Sequence, residues 1–227
     1  KMNSFLFYVS NIKLYGCHFK KLKKTLWEVD CDRAILNFVK NKKIDILHTH
    51  FFSPQGRSGV VAKIKYGLPI VATCRGSEIR EMPEYNYGAL RDKEYKNNLM
   101  KSLPLLDNIT VPNIYYKGEL IDKFNNIDSD KVQVLYNGVE KINVKKKYSK
   151  GNLTFILIGN LIPLKNYNVL FRALDLLIDK YIFSIIIVGD GPLRTEIIEI
   201  IKSKYYNYIT LFGSMGKKNL YELMSTC

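Results

Sequence analysis

Leu153-Thr154-Phe155-Ile156-Leu157-Ile158 is an unbroken apolar and β-branched run that stops at Gly159-Asn160-Leu161-Ile162-Pro163-Leu164-Lys165. A short run of this kind, closed by a turn signal, reads as a buried strand. A helical period follows over 168–180, where Leu170, Leu174, Leu177 and Tyr181 recur at spacings of three and four and are expected in the core. A second run, Phe183-Ser184-Ile185-Ile186-Ile187-Val188, ends at Gly189-Asp190-Gly191-Pro192, and Pro192 suits the first position of a further helix. Strand, turn, helix and strand in this order mark a βαβ unit with parallel strands.

The same rhythm runs upstream. Asp32 is expected to cap a helix over 33–42, and Ile44-Asp45-Ile46-Leu47 then reads as a strand ending at His48-Thr49-His50. A helix over 54–66 is stopped by Gly67, and a strand over 69–73 ends at Cys74-Arg75-Gly76-Ser77-Glu78. Helices are expected over 88–103 and 118–124, strands over 108–111 and 132–135, and a tight turn at Asn137-Gly138. Residues 141–151 are rich in lysine and lack an apolar period, which predicts a linker. The expected class is therefore α/β, with two Rossmann-like domains whose parallel sheets are covered by helices. Residues 1–143 form the first domain, 144–151 the linker and 152–227 the second, which breaks off inside a helical pattern and is expected to be incomplete.

Composition narrows the function. The chain has 227 residues, 35 Lys plus Arg against 21 Asp plus Glu, and a net charge of +14. With 47% hydrophobic and 12% aromatic residues it can bury a real core, which excludes disorder as the main state. Positive charge attracts nucleic acid, anionic membranes and phosphorylated substrates alike. Only seven of the basic residues are Arg, the type that reads bases and phosphates in bidentate fashion, and no nucleic-acid-binding signature occurs, so no nucleic-acid partner is expected. Lysines gather at 20–24, 40–43 and 141–150, as on a solvated face or a surface that docks on anionic lipid. The longest apolar runs fall well short of the roughly 20 residues of a membrane span. Four scattered cysteines without a Cys-x-x-Cys pair fit a reducing, cytoplasmic setting.

The turn from Gly159 to Lys165 follows a strand and precedes a helix, so its amides and the Lys165 ammonium could hold a phosphate. It lacks the second glycine and the Lys-Ser/Thr pair of an ATPase loop, and Gly189-Asp190-Gly191 lacks the third glycine of the dinucleotide fingerprint. His48 and His50 share a strand face, but no third ligand is evident, so a structural role is favoured over metal binding.

Taken in order, Asp45-Ile46-Leu47-His48-Thr49-His50-Phe51, Gly67 to Glu78, Leu135-Tyr136-Asn137-Gly138-Val139, Ile158-Gly159-Asn160-Leu161 with Lys165, Val188-Gly189-Asp190-Gly191-Pro192 and Leu211-Phe212-Gly213 resemble the motifs of retaining glycosyltransferases of family 4. That resemblance implies the GT-B fold and a nucleotide-diphosphate sugar donor. Lys165 would pair with the donor diphosphate; Gly159, Asn160, Gly189, Asp190 and Gly191 would line the nucleotide cleft, and Gly213 to Met215 would meet the base. His50, Gly76, Ser77 and Glu78 would lie on the acceptor side, facing a glycan or lipid-linked acceptor.

The resemblance assigns catalysis to Arg75 and Lys165, with no metal or other cofactor, because a lysine and helix amides suit the charge of the leaving diphosphate. Asn160 stands where the family often has Arg, which removes a second positive charge. Arg75 stands where many members have His, and a guanidinium binds a phosphate or hydroxyl but is no general base. The family's first strand with its glycine-rich loop is expected ahead of residue 1 and its paired glutamates beyond Cys227, so these 227 residues alone are expected not to transfer sugar. Alternatives of the same architecture are a nucleotide-sugar epimerase and a catalytically dead nucleotide- or glycan-binding module.

Overall fold

The computed structural model of the protein describes residues 22–52, 56–141 and 153–227. The chain divides into two compact units, residues 1–138 and 139–227. The linker expected at 144–151 lies outside the described residues.

In the first unit, α1 (Leu22–Asn41) leads into β1 (Leu47–His50), α2 (Arg57–Tyr66) and β2 (Ile70–Thr73), followed by α3 (Lys93–Ser102), β3 (Asn108–Val111), α4 (Ile114–Lys123) and β4 (Val132–Val134). The four strands form one parallel sheet in the order β1-β2-β3-β4. Its core joins Ile70, Ala72, Ile109 and Val111 of the sheet to Leu99, Leu103, Leu120 and Phe124 of the helices. Gly67 ends α2 in the left-handed conformation and donates its N–H to the Lys63 carbonyl, as expected of a glycine stop.

Two readings of this unit change. Asp32 does not cap a helix: α1 begins ten residues earlier, and Asp32 lies within it, fully buried. It falls on the buried stripe formed by Val29, Leu36 and Val39, where its carboxylate takes two bonds from Arg57 (3.0 and 3.2 Å) and one from the Ser58 hydroxyl (2.5 Å). A polar residue on an apolar stripe looks like a helix boundary in sequence, but here it ties α1 to the start of α2. The first strand also sits three residues later than expected. Leu47 N–H bonds the Pro69 carbonyl and Phe51 N–H bonds the Thr73 carbonyl, so His48, Thr49 and His50 belong to β1 and Ile46 is exposed.

The second unit contains β5 (Leu153–Ile158), α5 (Tyr167–Leu177), β6 (Phe183–Val188), α6 (Arg194–Ile200) continued by a π turn (Ile201–Tyr205), β7 (Ile209–Phe212) and α7 (Lys217–Met224). Its three strands are parallel in the order β5-β6-β7. The helix stripe differs from the expected one: Leu174 is buried and Leu170 packs at the margin, but Leu177 and Tyr181 are exposed. The helix is rotated so that Tyr167, Phe171, Leu174 and Ile178 face the sheet, with Phe171 stacked on Tyr205 of the π turn at 5.5 Å. β5 is an edge strand among the described residues, and Leu153, Phe155 and Ile158 are half or more exposed rather than buried. Pro192 precedes α6 by two residues and sits in the turn instead of the first helical position.

Candidate functional site

Strands of a parallel sheet all end on one side, so the residues that follow them are gathered along one edge, where ligands of open α/β sheets bind. In the first unit that edge carries a polar row. His48 Nε2 lies 2.7 Å from Thr73 Oγ1, which lies 2.7 Å from Thr110 Oγ1, so three adjacent strands are joined by side chains. The His48 and His50 rings are 4.8 Å apart. Arg75 is exposed, and its Nη2 approaches His50 Nδ1 at 3.4 Å.

The loop holding Arg75 is built from its neighbours. Gly76 has φ of 109°, and a Cβ there would stand 2.6 Å from the Tyr116 hydroxyl, so both backbone and packing require glycine. Glu78 is 4% exposed, and both its oxygens turn to its own loop: Oε1 accepts the Arg75 N–H at 3.0 Å and Oε2 the Ser77 hydroxyl at 3.3 Å. Glu78 and Ser77, expected to face an acceptor, thus bond one another, and Glu78 fixes the backbone of Arg75. Beneath the loop, burial and the neighbouring Glu78 push the Cys74 thiol up to about 12. Burial, Glu78 and Cys74 likewise raise the Tyr95 phenol, whose hydroxyl is covered and has no hydrogen-bond partner.

In the second unit the loops after β5 and β6 are locked together. Gly159 N–H bonds the Val188 carbonyl (3.0 Å), Leu161 N–H the Asp190 carbonyl (2.9 Å) and Leu193 N–H the Leu161 carbonyl (3.0 Å). Glycine makes this approach possible. A Cβ on Gly189, whose φ is 153°, would stand 1.9 Å from the Gly159 oxygen, and one on Gly191 would stand 2.5 Å from the Leu161 oxygen. Lys165 closes a 3-10 turn (Pro163–Lys165), exposed, with its stem beside Gly159. Together with Ile158, Gly159 and Tyr167 it lines an open depression of about 490 Å³. Asn160 is exposed on the same loop, and the Tyr167 hydroxyl reaches its carbonyl only at 3.4 Å.

The structure thus brings together His50, Arg75, Gly76, Ser77 and Glu78 in one unit, and Gly159, Asn160, Lys165, Gly189, Asp190 and Gly191 in the other. Gly213 follows β7 and faces Arg194, and Met215 lies two residues on, half-buried. Arg75 and Lys165, the two expected catalytic residues, belong to different units. Sequence reasoning missed the Thr73–Thr110 pair, Tyr116 and Arg194; of these only Arg194 had a signal, its place directly after Gly-Asp-Gly-Pro-Leu. No helix among the described residues is long and apolar enough to cross a membrane.

Parallel α/β units with glycine-tight loops at the strand ends are shared by many nucleotide-binding enzymes, and comparison with known proteins gives the class: glycosyltransferases. The profile of Glycosyltransferase Family 4 matches residues 9–141. The chain belongs to this family. It is 25% identical over 211 residues to an uncharacterized glycosyltransferase of Methanocaldococcus jannaschii, covering 92% of this chain and 55% of that one. To the capsular polysaccharide biosynthesis glycosyltransferase CapH of Staphylococcus aureus it is 22% identical, covering 71% and 44%. The Anabaena protein HepE, solved with UDP and glucose, superposes with a TM-score of 0.62 at 15% identity, covering 86% and 54%, a likeness of fold. The chain spans about half the length of the curated relatives it matches. The fold is accordingly the α/β, GT-B class expected from the sequence.

Proposed function

We propose that the protein is a retaining hexosyltransferase that moves a sugar from a nucleoside-diphosphate donor to a glycan or lipid-linked acceptor in cell-surface polysaccharide synthesis. The observation that carries this reading is the pair of interlocked loops, 159–165 and 189–193, with Lys165 beside the close-packed glycines at the strand ends. A diphosphate there meets the Lys165 ammonium, which stabilises the charge that grows as the glycosidic bond breaks, so the reading needs no metal. HepE was solved with UDP and glucose, and CapH is named for capsular polysaccharide biosynthesis; both support the same substrate classes here. On the acceptor side Arg75, fixed by Glu78 and set against His50, offers a guanidinium to an acceptor hydroxyl or phosphate. The net charge of +14 and the lysine clusters of the sequence favour peripheral docking on the anionic inner face of a cytoplasmic membrane.

Titration calorimetry with uridine diphosphate tests the donor half. The wild type should bind, and Lys165→Ala should weaken binding about tenfold or more, the loss expected for one charge-assisted bond. Equal affinity in the two proteins would overturn the role of Lys165. Transfer by the full-length protein, with the product anomer read by NMR, tests the reaction; inversion of the anomeric centre would refute retention.

A further inference from the structure

Arg194, the first residue of α6, packs between the loop after β6 and the end of β7. Its Nη1 is covered, yet it has no hydrogen-bond acceptor. The carboxylate nearest to it, Asp190 Oδ2, is 3.9 Å away, beyond hydrogen-bond range. Asp190 is held at that distance because its Oδ1 accepts the Gly191 N–H at 2.8 Å. On the other side lies Gly213: a Cβ there would stand 3.8 Å from Nη1, so the absence of a side chain leaves the guanidinium faced by bare backbone. The side chain as a whole keeps about a third of its surface open. A guanidinium N–H withdrawn from water without an acceptor is costly, and the open third of the side chain is where the guanidinium can take an oxyanion.

We infer that Arg194 is a further donor-binding residue: its guanidinium takes an oxygen of the nucleotide diphosphate and supplies the positive charge that Asn160 does not. The inference rests on the proposed donor site and deepens it. It divides the work between two loops, with Lys165 on the β5 side and Arg194 between β6 and β7. It also gives Asp190 a role: a fixed carboxylate near the guanidinium holds Arg194 in place when the site is empty and opposes the incoming diphosphate when it fills.

Titration calorimetry of the chain with uridine diphosphate and with uridine, at two salt concentrations, tests it. Arg194→Gln should weaken diphosphate binding roughly ten- to a hundredfold, reduce its salt dependence, and weaken uridine far less. Arg194→Lys should fall between the two, because charge is kept and the fork is lost. Asp190→Asn keeps the acceptor for the Gly191 N–H and removes the opposing charge, so it should tighten diphosphate binding, and it reports on the idea even if the Arg194 variants fold poorly. The inference is overturned if Arg194→Gln binds the diphosphate within twofold of the wild type, if it loses uridine and the diphosphate equally, or if Asp190→Asn weakens the diphosphate. Failure of the wild type to bind any nucleoside diphosphate instead defeats the donor reading itself.

Discussion

Replacing Gly189 by alanine puts a methyl carbon 1.9 Å from the Gly159 carbonyl oxygen, on backbone with φ of 153°. Non-bonded heavy atoms need about 3.5 Å, so the carbonyl must retreat by roughly 1.5 Å. That movement lengthens two of the three bonds that join the loops, Gly159 N–H to Val188 and Leu161 N–H to Asp190, at about 1 kcal/mol each. Holding alanine at this φ adds about 1–3 kcal/mol, for a total of about 3–5 kcal/mol. Gly213 provides the control, because its added Cβ meets only Arg194 Nη1 at an ordinary 3.8 Å; Gly213→Ala should stay within about 0.5 kcal/mol of the wild type. Urea denaturation followed by hydrogen exchange of peptides from the second unit reads both variants. A Gly189→Ala protein no less stable than Gly213→Ala would show that the two loops are not locked by close backbone approach.

Asp32→Ala removes the shared acceptor of Arg57 and Ser58 inside the core and should cost about 3–5 kcal/mol, with Asp32→Asn losing clearly less; thermal melts of the two variants rank them, and equal melting temperatures would contradict the tie between α1 and α2. Burial works against the Asp107 carboxylate, but Lys63 (2.6 Å) and the Ile70 N–H (2.8 Å) outweigh it and hold its pKa below the ordinary aspartate value. The folded pKa is the lower one, so this stabilisation is complete above about pH 4 and is lost as the pH falls further; Asp107→Asn should flatten that acid limb of a stability profile. Cys74, buried and pushed up to about 12, should resist iodoacetamide at pH 8 while Cys227, partly exposed, reacts, as read by peptide mass spectrometry; prompt labelling of Cys74 would show the loop above it to be open.

Three strands were legible to the residue, 108–111, 153–158 and 183–188, because apolar, β-branched runs with turn signals at their ends admit little else. β1 was misplaced because its own residues are His-Thr-His: polar side chains at the end of a strand read as the loop after it, and only pairing with β2 reveals them as strand. Asp32 and Glu78 hide their hydrogen bonds from a sequence reading for a common reason. Sequence shows a carboxylate but not its partners, and both partners come from elsewhere in the fold or from a turn whose geometry depends on Gly76. The glycines and Lys165 were legible as a group because their spacing is local. Arg194 had only its place after Gly-Asp-Gly-Pro-Leu as a signal; what marks it is an unfilled bond and a missing side chain across from it, neither of which is written in a linear string. The α5 stripe slipped because two overlapping sets of apolar residues compete, and burial of Phe171 against Tyr205 decides between them.

The row formed by His48, Thr73 and Thr110 has a sense of direction. A hydroxyl between two neighbours donates to one and accepts from the other, so the three groups orient as a set. With a proton on Nε2, His48 donates to Thr73, Thr73 donates to Thr110, and the Thr110 proton is turned outward. With Nε2 bare, every donor becomes an acceptor, and Thr110 gives its proton back along the row. A single tautomer change on β1 therefore reverses the polarity offered on β3, with no atom heavier than hydrogen moving.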